Sequence, residues 1–428
     1  MNISTQSLHS TLASLVGAGV RPAADTDSVA GVRPQVVVEP ANEEEVAAVL
    51  AFANTEGLHV LVHGGGTQLA LGFPPTGGDI LLSTARLNGI VEHVPHDLVV
   101  TAQAGLRLTE LQATLAKSKQ WLALDPTLPI EATIGGIVAT NATGPRRLRY
   151  GGVRDQIIGV RVVLADGTIA KGGGKVVKNV AGYDLPKLFT GALGTLGVIV
   201  AATFRLYPLP VTSRTVQIIT STLAPLGDLA VRILGSTLVP TVIDIQGDTT
   251  HRTYTMGVRF EMGQEAVAAQ TDTLLAMGAE LGEGTAQTLE GEAETQFWAA
   301  LAHETTTSHT QTMLALKANL LPTDVTHWLT HVERLCEQQH ICATWYAHAG
   351  HGLVTVRLAG DDTALLSATS TLRHIAGEQQ GSVVVTEAPL GLDLDVWGPV
   401  PALAVMRNLK MRFDPKNTLN PGRFVGGL

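Results

Sequence analysis

Cysteine is nearly absent: Cys336 and Cys342 are the only two among 428 residues. Two thiols without CxxC spacing cannot build a disulfide framework or hold an iron–sulfur cluster, and they read as structural thiols of a reducing compartment. Charge is scarce as well. Asp, Glu, Lys and Arg make up 16% of the chain, against about 25% in an ordinary globular domain. That excludes a disordered chain and a long coiled coil. No run of ~18 or more apolar residues occurs, so no transmembrane helix is expected. The first basic residue is Arg21, so the charged start of a secretory signal is missing. The net charge of −9 argues against a sequence-blind nucleic-acid binder, which needs an excess of cations. The expectation is a soluble cytoplasmic protein that meets the inner face of a membrane only through a partner.

Glycine and apolar residues are plentiful. There are 45 glycines, and hydrophobic residues reach 45%, enough for a sizeable core. At about 150 residues per domain the length predicts two or three domains. The glycines cluster, as they do where backbone must approach a ligand.

The pattern opens as α/β. Gln35–Val38 reads as a strand ending at Pro40. Asn42 caps a helix, with Glu45 placed for a capping box and Val46, Val49, Leu50 and Ala53 as its buried stripe. Leu58–Val62 is a second strand that runs into Gly64-Gly65-Gly66-Thr67. Further strands are expected at Leu98–Ala102, Gly159–Leu164 and Val198–Leu206, with helices at Leu108–Ala116 and Pro186–Leu193. Asp166-Gly167 marks a hairpin turn. After residue 210 the glycine clusters thin out. Strands are expected at Val216–Ile219, Val242–Ile245, Tyr254–Phe260, Met313–Lys317, Ala343–Tyr346, Leu353–Leu358 and Val383–Thr386. They alternate with helices at Gln264–Met277, Asp324–Glu337 and Ala364–Ile375, which describes a second, antiparallel α+β domain. Pro399–Phe413 reads as a last helix before a turn-rich tail.

The chemistry concentrates in residues 125–199. From Ala132 to Arg154 there is no acid. Over 132–183 the basic residues are Arg146, Arg147, Arg149, Arg154, Arg161, Lys171, Lys175 and Lys178, against Asp155 and Asp166. Local positive charge beside bare backbone N–H groups suits a pyrophosphate; a solvated basic face is the plainer alternative. The glycine loops narrow the choice. Gly174-Lys175 is followed by Val176, so there is no Walker loop, and Leu69 stands where the third glycine of a Rossmann loop belongs. Gly64–Thr67 offers consecutive small residues whose N–H groups can nest an anion.

The order of these segments carries more than any one of them. GGGT after a strand is followed by Asp125-Pro126, ATIGGIVATNATG, Arg149-Tyr150-Gly151, Asp166-Gly167 and Gly194-Thr195-Leu196-Gly197-Val198-Ile199. This succession resembles the PCMH-type FAD-binding domain of the vanillyl-alcohol-oxidase superfamily. The ending FDPKNTLNPGRF resembles the tail of its lactate and glycolate branch. The resemblance implies an α+β protein: a PCMH-type FAD-binding domain of two α/β subdomains over 30–210, an antiparallel-sheet cap domain over 211–395, and a C-terminal segment, 396–428, returning to the FAD domain. It implies that His63, Gly64, Gly65, Gly66, Thr67 and Gln68 wrap the pyrophosphate of FAD. Pro126, Thr133, Gly135 and Gly136 would run beside the phosphates and flavin. Asn141, Ala142 and Gly144 would continue that wall with Gly151 behind. Leu196, Gly197, Val198 and Ile199 would hold the adenosine end or the flavin rim. Covalent members carry a histidine where Thr67 stands here, so noncovalent FAD is expected.

The substrate side departs from the family. Its metal motif, HxGDGNxH, here reads His348-Ala349-Gly350-His351-Gly352-Leu353-Val354-Thr355. Only the first histidine of the ligand set remains, so no metal is expected. The family's Glu-His-Gly is Glu387-Ala388-Pro389, and a methyl group cannot take a proton. No catalytic residue is therefore assigned; Glu387 and His351 remain as candidate bases. The resemblance then implies an FAD-binding subunit of a multi-subunit glycolate (2-hydroxy acid) dehydrogenase. Its partners would be a larger catalytic flavoprotein and an iron–sulfur subunit. The alternative is a self-sufficient FAD-dependent dehydrogenase of a small 2-hydroxy acid.

Overall fold

The computed structural model describes residues 4–175, 182–304, 313–389 and 391–428; Lys178 lies outside them. The chain divides into two compact units. One comprises Met1–Thr143, Gly151–Leu209 and Val400–Leu428, the other Gly144–Tyr150 and Pro210–Pro399.

The first unit holds two main sheets. One has four strands in the order Val20–Pro22, Val36–Val38, Ile80–Ser83, Val60–His63. The last three run parallel. Parallel strands are covered on both faces, which is why they read as unbroken apolar runs. Val36, Val38, Val60, Ile80 and Leu82 pack on the helices Thr5–Val16 and Glu43–Glu56, while Val37, Leu61 and Leu81 face Ala23 and Val29. Asn42 caps the second helix as expected, its side chain accepting from Glu45 N at 2.8 Å. Glu45 reaches back to Ala41 N at 2.7 Å, one residue beyond the usual capping-box partner.

The other sheet is antiparallel, in the order Ile90–Val94, Val99–Gln103, Val198–Arg205, Ile157–Val163, Ile169–Gly173. Its last two strands form the hairpin expected at Asp166-Gly167, with Gly167 at φ +87°. The helices Leu108–Ala116 and Ile134–Thr140 pack against this sheet. The expected helix after Pro186 is shorter than its pattern, Leu185–Phe189.

The tail is fastened to the strand Val60–His63. Val60 N donates to Thr418 O at 2.7 Å and Asn420 N to Val60 O at 2.9 Å. Buried Asp414 organises the turn, accepting from Thr418 N and Leu419 N at 2.8 Å each. The Lys410 ammonium, also buried, donates to Asp414 at 2.7 Å, Thr195 O at 2.9 Å and Leu419 O at 3.0 Å. A buried ion pair survives desolvation only when its remaining valences are filled this way.

The second unit is built on an eight-stranded antiparallel sheet. Its order is Thr285–Leu289, Thr212–Thr220, Tyr254–Met262, Val242–Asp248, Cys342–His348, Leu353–Ala359, Met313–Asn319, Ser382–Glu387. Every strand expected from the sequence is there. Thr285–Leu289, polar and mostly exposed at the sheet edge, has no alternation to betray it. One face carries Ile245, Leu316, Trp345, Ala347, Val354, Val356, Val383 and Val385, packed on the helices Ala224–Leu234, Val325–Gln339 and Asp362–Glu378. The α+β class and the antiparallel cap are as expected. Of the two thiols, Cys336 is buried and Cys342 exposed. No helix among the described residues is long and apolar enough to cross a membrane.

Candidate FAD site

The strand Val60–His63 delivers Gly64-Gly65-Gly66 at its carboxyl end, where ligands of parallel sheets bind. The neighbouring strand ends at Ser83, and the N–H of the next residue, Thr84, donates to His63 O at 2.9 Å. Thr133 ties the glycine loop to the next element. Its hydroxyl accepts from Gly65 N at 3.3 Å and, as N-cap of the helix Ile134–Thr140, from Gly136 N at 3.4 Å. The loop has no room for side chains. A Cβ on Gly65 would sit 1.9 Å from Glu131 O, and one on Gly64 2.5 Å from the Thr133 hydroxyl. Gly66 has φ +74°, a left-handed conformation that favours glycine.

Around this loop opens a cavity, part of it open to solvent. Val62, Leu69, Ala139, Leu193 and Ile199 supply apolar wall; His63 to Gln68, Gly135 and Gly136 supply backbone. The N–H groups of Gly64, Gly66, Thr67 and Gln68 donate to no acceptor among the described residues. Burial pushes the His63 pKa below the ordinary histidine value, with nearby Asp27 opposing it, so the imidazole is neutral at pH 7.

Two lining residues come from the tail, Asn420 and Arg423. Asn420 accepts from Val62 N at 2.9 Å and donates to Leu193 O at 2.7 Å, pinning two walls together. Arg423 is 6% exposed. One guanidinium nitrogen, Nη2, donates to Leu69 O at 2.8 Å and Leu71 O at 2.6 Å, while buried Nη1 has no partner among the described residues. An orphan donor on a buried cation, beside four unused N–H groups, calls for an anion.

Of the residues expected at the site, the cavity gathers His63, Gly64, Gly65, Gly66, Thr67, Gln68, Gly135, Gly136 and Ile199. Thr133 touches the loop from behind. Pro126, Asn141, Ala142, Gly151, Leu196, Gly197 and Val198 do not line it. Asn141 is the left-handed cap of its helix, and Leu196 and Val198 are buried in the cores. Gly144 belongs to the second unit. The basic run also goes elsewhere. Arg161 pairs with Glu43, Lys175 with Glu92, and Arg146 with Glu261 at 3.0 Å. The cation at the cavity is Arg423, whose one signal in the sequence is a basic residue closing the Asn-Pro-Gly turn.

In the second unit, the polar sheet face carries a smaller cluster. His348 Nδ1 lies 3.0 Å from Asp244 Oδ1, and the Tyr346 hydroxyl donates to Asp244 Oδ2. His351 stacks on His348 with ring centroids 5.0 Å apart. Burial, then His348 and Arg147, push the His351 pKa down to about 3, too weak for a base near neutral pH. Glu387 is an exposed strand end, and Ala388 packs on the core.

A glycine-nested anion site joined to an apolar wall defines a dinucleotide-type cofactor site, and the comparisons with known proteins agree. The FAD binding domain family matches residues 34–173, and the C-terminal domain of FAD linked oxidases matches residues 397–424. A D-lactate dehydrogenase of Archaeoglobus fulgidus is 31% identical over 416 residues, 91% of each chain. The glycolate oxidase subunit GlcD of Bacillus subtilis is 26% identical over 91% of this chain and 88% of its own. The crystal structure of p-cresol methylhydroxylase with substrate bound superposes with a TM-score of 0.77 at 15% identity, over 98% of this chain and 96% of its own. The chain belongs to the family of FAD-linked oxidoreductases and is an FAD-dependent enzyme.

Proposed function

We propose that the chain is the FAD-binding subunit of a dehydrogenase for small 2-hydroxy acids, glycolate foremost, and works with a larger catalytic flavoprotein and an iron–sulfur subunit. One observation carries the reading: the cofactor side is fully built while the substrate side lacks its base. The names of the similar proteins, D-lactate dehydrogenase and glycolate oxidase subunit, support the substrate class. The residues that would hold FAD are Gly64 to Gln68 and Arg423 at the pyrophosphate, with Thr133 fixing the loop and Ile199 and Leu193 against the rings. Gly135 and Gly136 would stand close by. Bound FAD supplies hydride acceptance and stepwise release of electrons. The chain itself binds, orients and screens the cofactor from water. With two cysteines, electrons leave through another subunit.

Isolated protein is expected to show little or no glycolate oxidation with an artificial acceptor, and turnover is expected when the chain is co-purified with its partners. Steady turnover by the single chain would replace this reading with that of a self-sufficient dehydrogenase. The Tyr346–Asp244–His348 network favours that second reading, because a carboxylate that orients an imidazole is a common base arrangement. The FAD is expected to be noncovalent. Acid precipitation should leave all yellow colour in the supernatant; colour in the pellet would show a covalent link.

A further inference from the structure

The helical layer of the second unit carries histidines that the proposed function leaves unused. The helix Val325–Gln339 holds His327-Trp328-Leu329-Thr330-His331 near its start. Residues four apart on a helix share a face, and the two imidazoles meet edge to face with centroids 4.8 Å apart. Trp328 and Leu329, between them, are fully buried in the core. His327 is exposed and His331 half-buried, so the pair stands on the solvent side of the helix.

The helix Asp362–Glu378 lies antiparallel alongside. At one end Gln339 Nε2 donates to Ser367 Oγ at 3.0 Å, and at the other the Gln379 amide nitrogen lies 2.8 Å from His327 Nδ1. Between them Trp328 Nε1 donates to Leu372 O at 3.3 Å. Glu378, the residue before Gln379, lies 3.4 Å from His374 Nε2 on the same side. The Arg334 guanidinium donates to His331 Nδ1. An arginine cannot accept, so that nitrogen bears a lone pair. Burial, then Arg334 and His327, hold the His331 pKa below the ordinary histidine value, with Glu378 opposing them.

Neutral histidines at i and i+4 are the spacing by which one helix face chelates zinc. Two Zn–N bonds at a tetrahedral angle set the nitrogens about 3.3 Å apart, within reach of two rings already in contact. Metal-bound histidines give their other N–H to an acceptor. The Gln379 amide oxygen is buried with no partner among the described residues. Turning that amide over lets the oxygen accept from His327 Nδ1–H and leaves Nε2 for a metal. No three His, Cys, Asp or Glu side chains among the described residues are placed to hold a metal ion together, so water completes the coordination. Trp328 stands where a metalloprotease helix has its glutamate, and it is buried, so the pair binds without hydrolysing.

We infer that His327 and His331 form a two-imidazole chelate for a divalent transition-metal ion of the zinc and copper class, with Gln379 orienting the first ring and Glu378 supplying a counter-charge. The site is separate from His348 and the broken motif, which lie on the opposite face of the sheet. Imidazole ligands favour zinc and copper, and magnesium prefers oxygen. Arg334 is the competitor: it occupies His331 Nδ1 and brings a like charge, and its exposed side chain swings into solvent when the metal binds.

The test is calorimetric titration of the purified, FAD-loaded chain with zinc chloride, copper(II) chloride and magnesium chloride. Zn²⁺ and Cu²⁺ are expected to bind, Cu²⁺ the tighter, and Mg²⁺ is not. His327→Gln and His331→Gln should each weaken Zn²⁺ binding by roughly tenfold or more, and Gln379→Leu by about tenfold, the usual cost of an outer partner. Arg334→Gln should strengthen it several-fold, a gain that no loss of folding could imitate. Zn²⁺ should raise the melting temperature of the wild type, by binding only the folded chain, and leave that of the double histidine variant unmoved. Absence of Zn²⁺ binding by the wild type, equal affinity in both histidine variants, or no gain in Arg334→Gln would each overturn the inference.

Discussion

Replacing Arg423 by methionine is expected to weaken FAD binding by roughly 2–4 kcal/mol, on the order of 30- to 1,000-fold, the usual cost of removing a desolvated charged partner. The guanidinium has two tasks in the structure. Nη2 holds the carbonyls of Leu69 and Leu71, closing the turn that follows the glycine loop. Nη1 is buried with no partner among the described residues and lines the cavity with the unused N–H groups of the loop. Methionine keeps much of the apolar stem and removes both. Arg423→Lys keeps the charge but not the fork, and should lie between the two. Titration of apoprotein with FAD, followed by quenching of flavin fluorescence, measures this. Equal affinity in wild type and Arg423→Met would remove the arginine from the cofactor site.

Gly65→Val should abolish FAD binding altogether and lower the melting temperature. From sequence, the reason would be that a side chain fills space the phosphates need. The structure adds a stronger one. A Cβ at this position would stand 1.9 Å from Glu131 O, a backbone atom that cannot swing away as a side chain can. Accommodating it means parting the loop from the segment before Thr133, which breaks the Gly65 N–H bond to the Thr133 hydroxyl. Forced overpacking of this kind costs about 1–3 kcal/mol or more. Even Gly65→Ala should lose most of its flavin, since the clash begins at the Cβ. Absorbance near the flavin maximum of purified variants, with thermal melts alongside, gives the result. A yellow Gly65→Ala protein of unchanged stability would mean that the loop is not packed in this way.

Much of this molecule was legible in one dimension. Parallel strands covered on both faces read as apolar runs, and Val36–Val38 does; Ile80–Leu82 has the same character and was not picked out. A sheet with one packed face must alternate, and the strands of the second unit do so closely enough to be found one by one. The polar edge strand Thr285–Leu289 has neither pattern and was not. The glycine loop announced itself because an anion nest needs small residues in an unbroken run at a strand end. The cofactor class followed from the order of several such segments. The broken metal motif and the alanine at 388 are likewise plain in the letters.

Tertiary structure decided which charges remain free. The arginine-rich run suggested where an anion would bind, yet Arg146 and Arg161 are spent on Glu261 and Glu43. Arg423 reaches the glycine loop across 354 positions of sequence to Leu69, because the tail adds itself to the edge strand Val60–His63. Periodicity and turn chemistry act over a few residues and are written locally. Whether a charge is paired depends on which distant segments the fold brings beside it, and composition counts charges without pairing them.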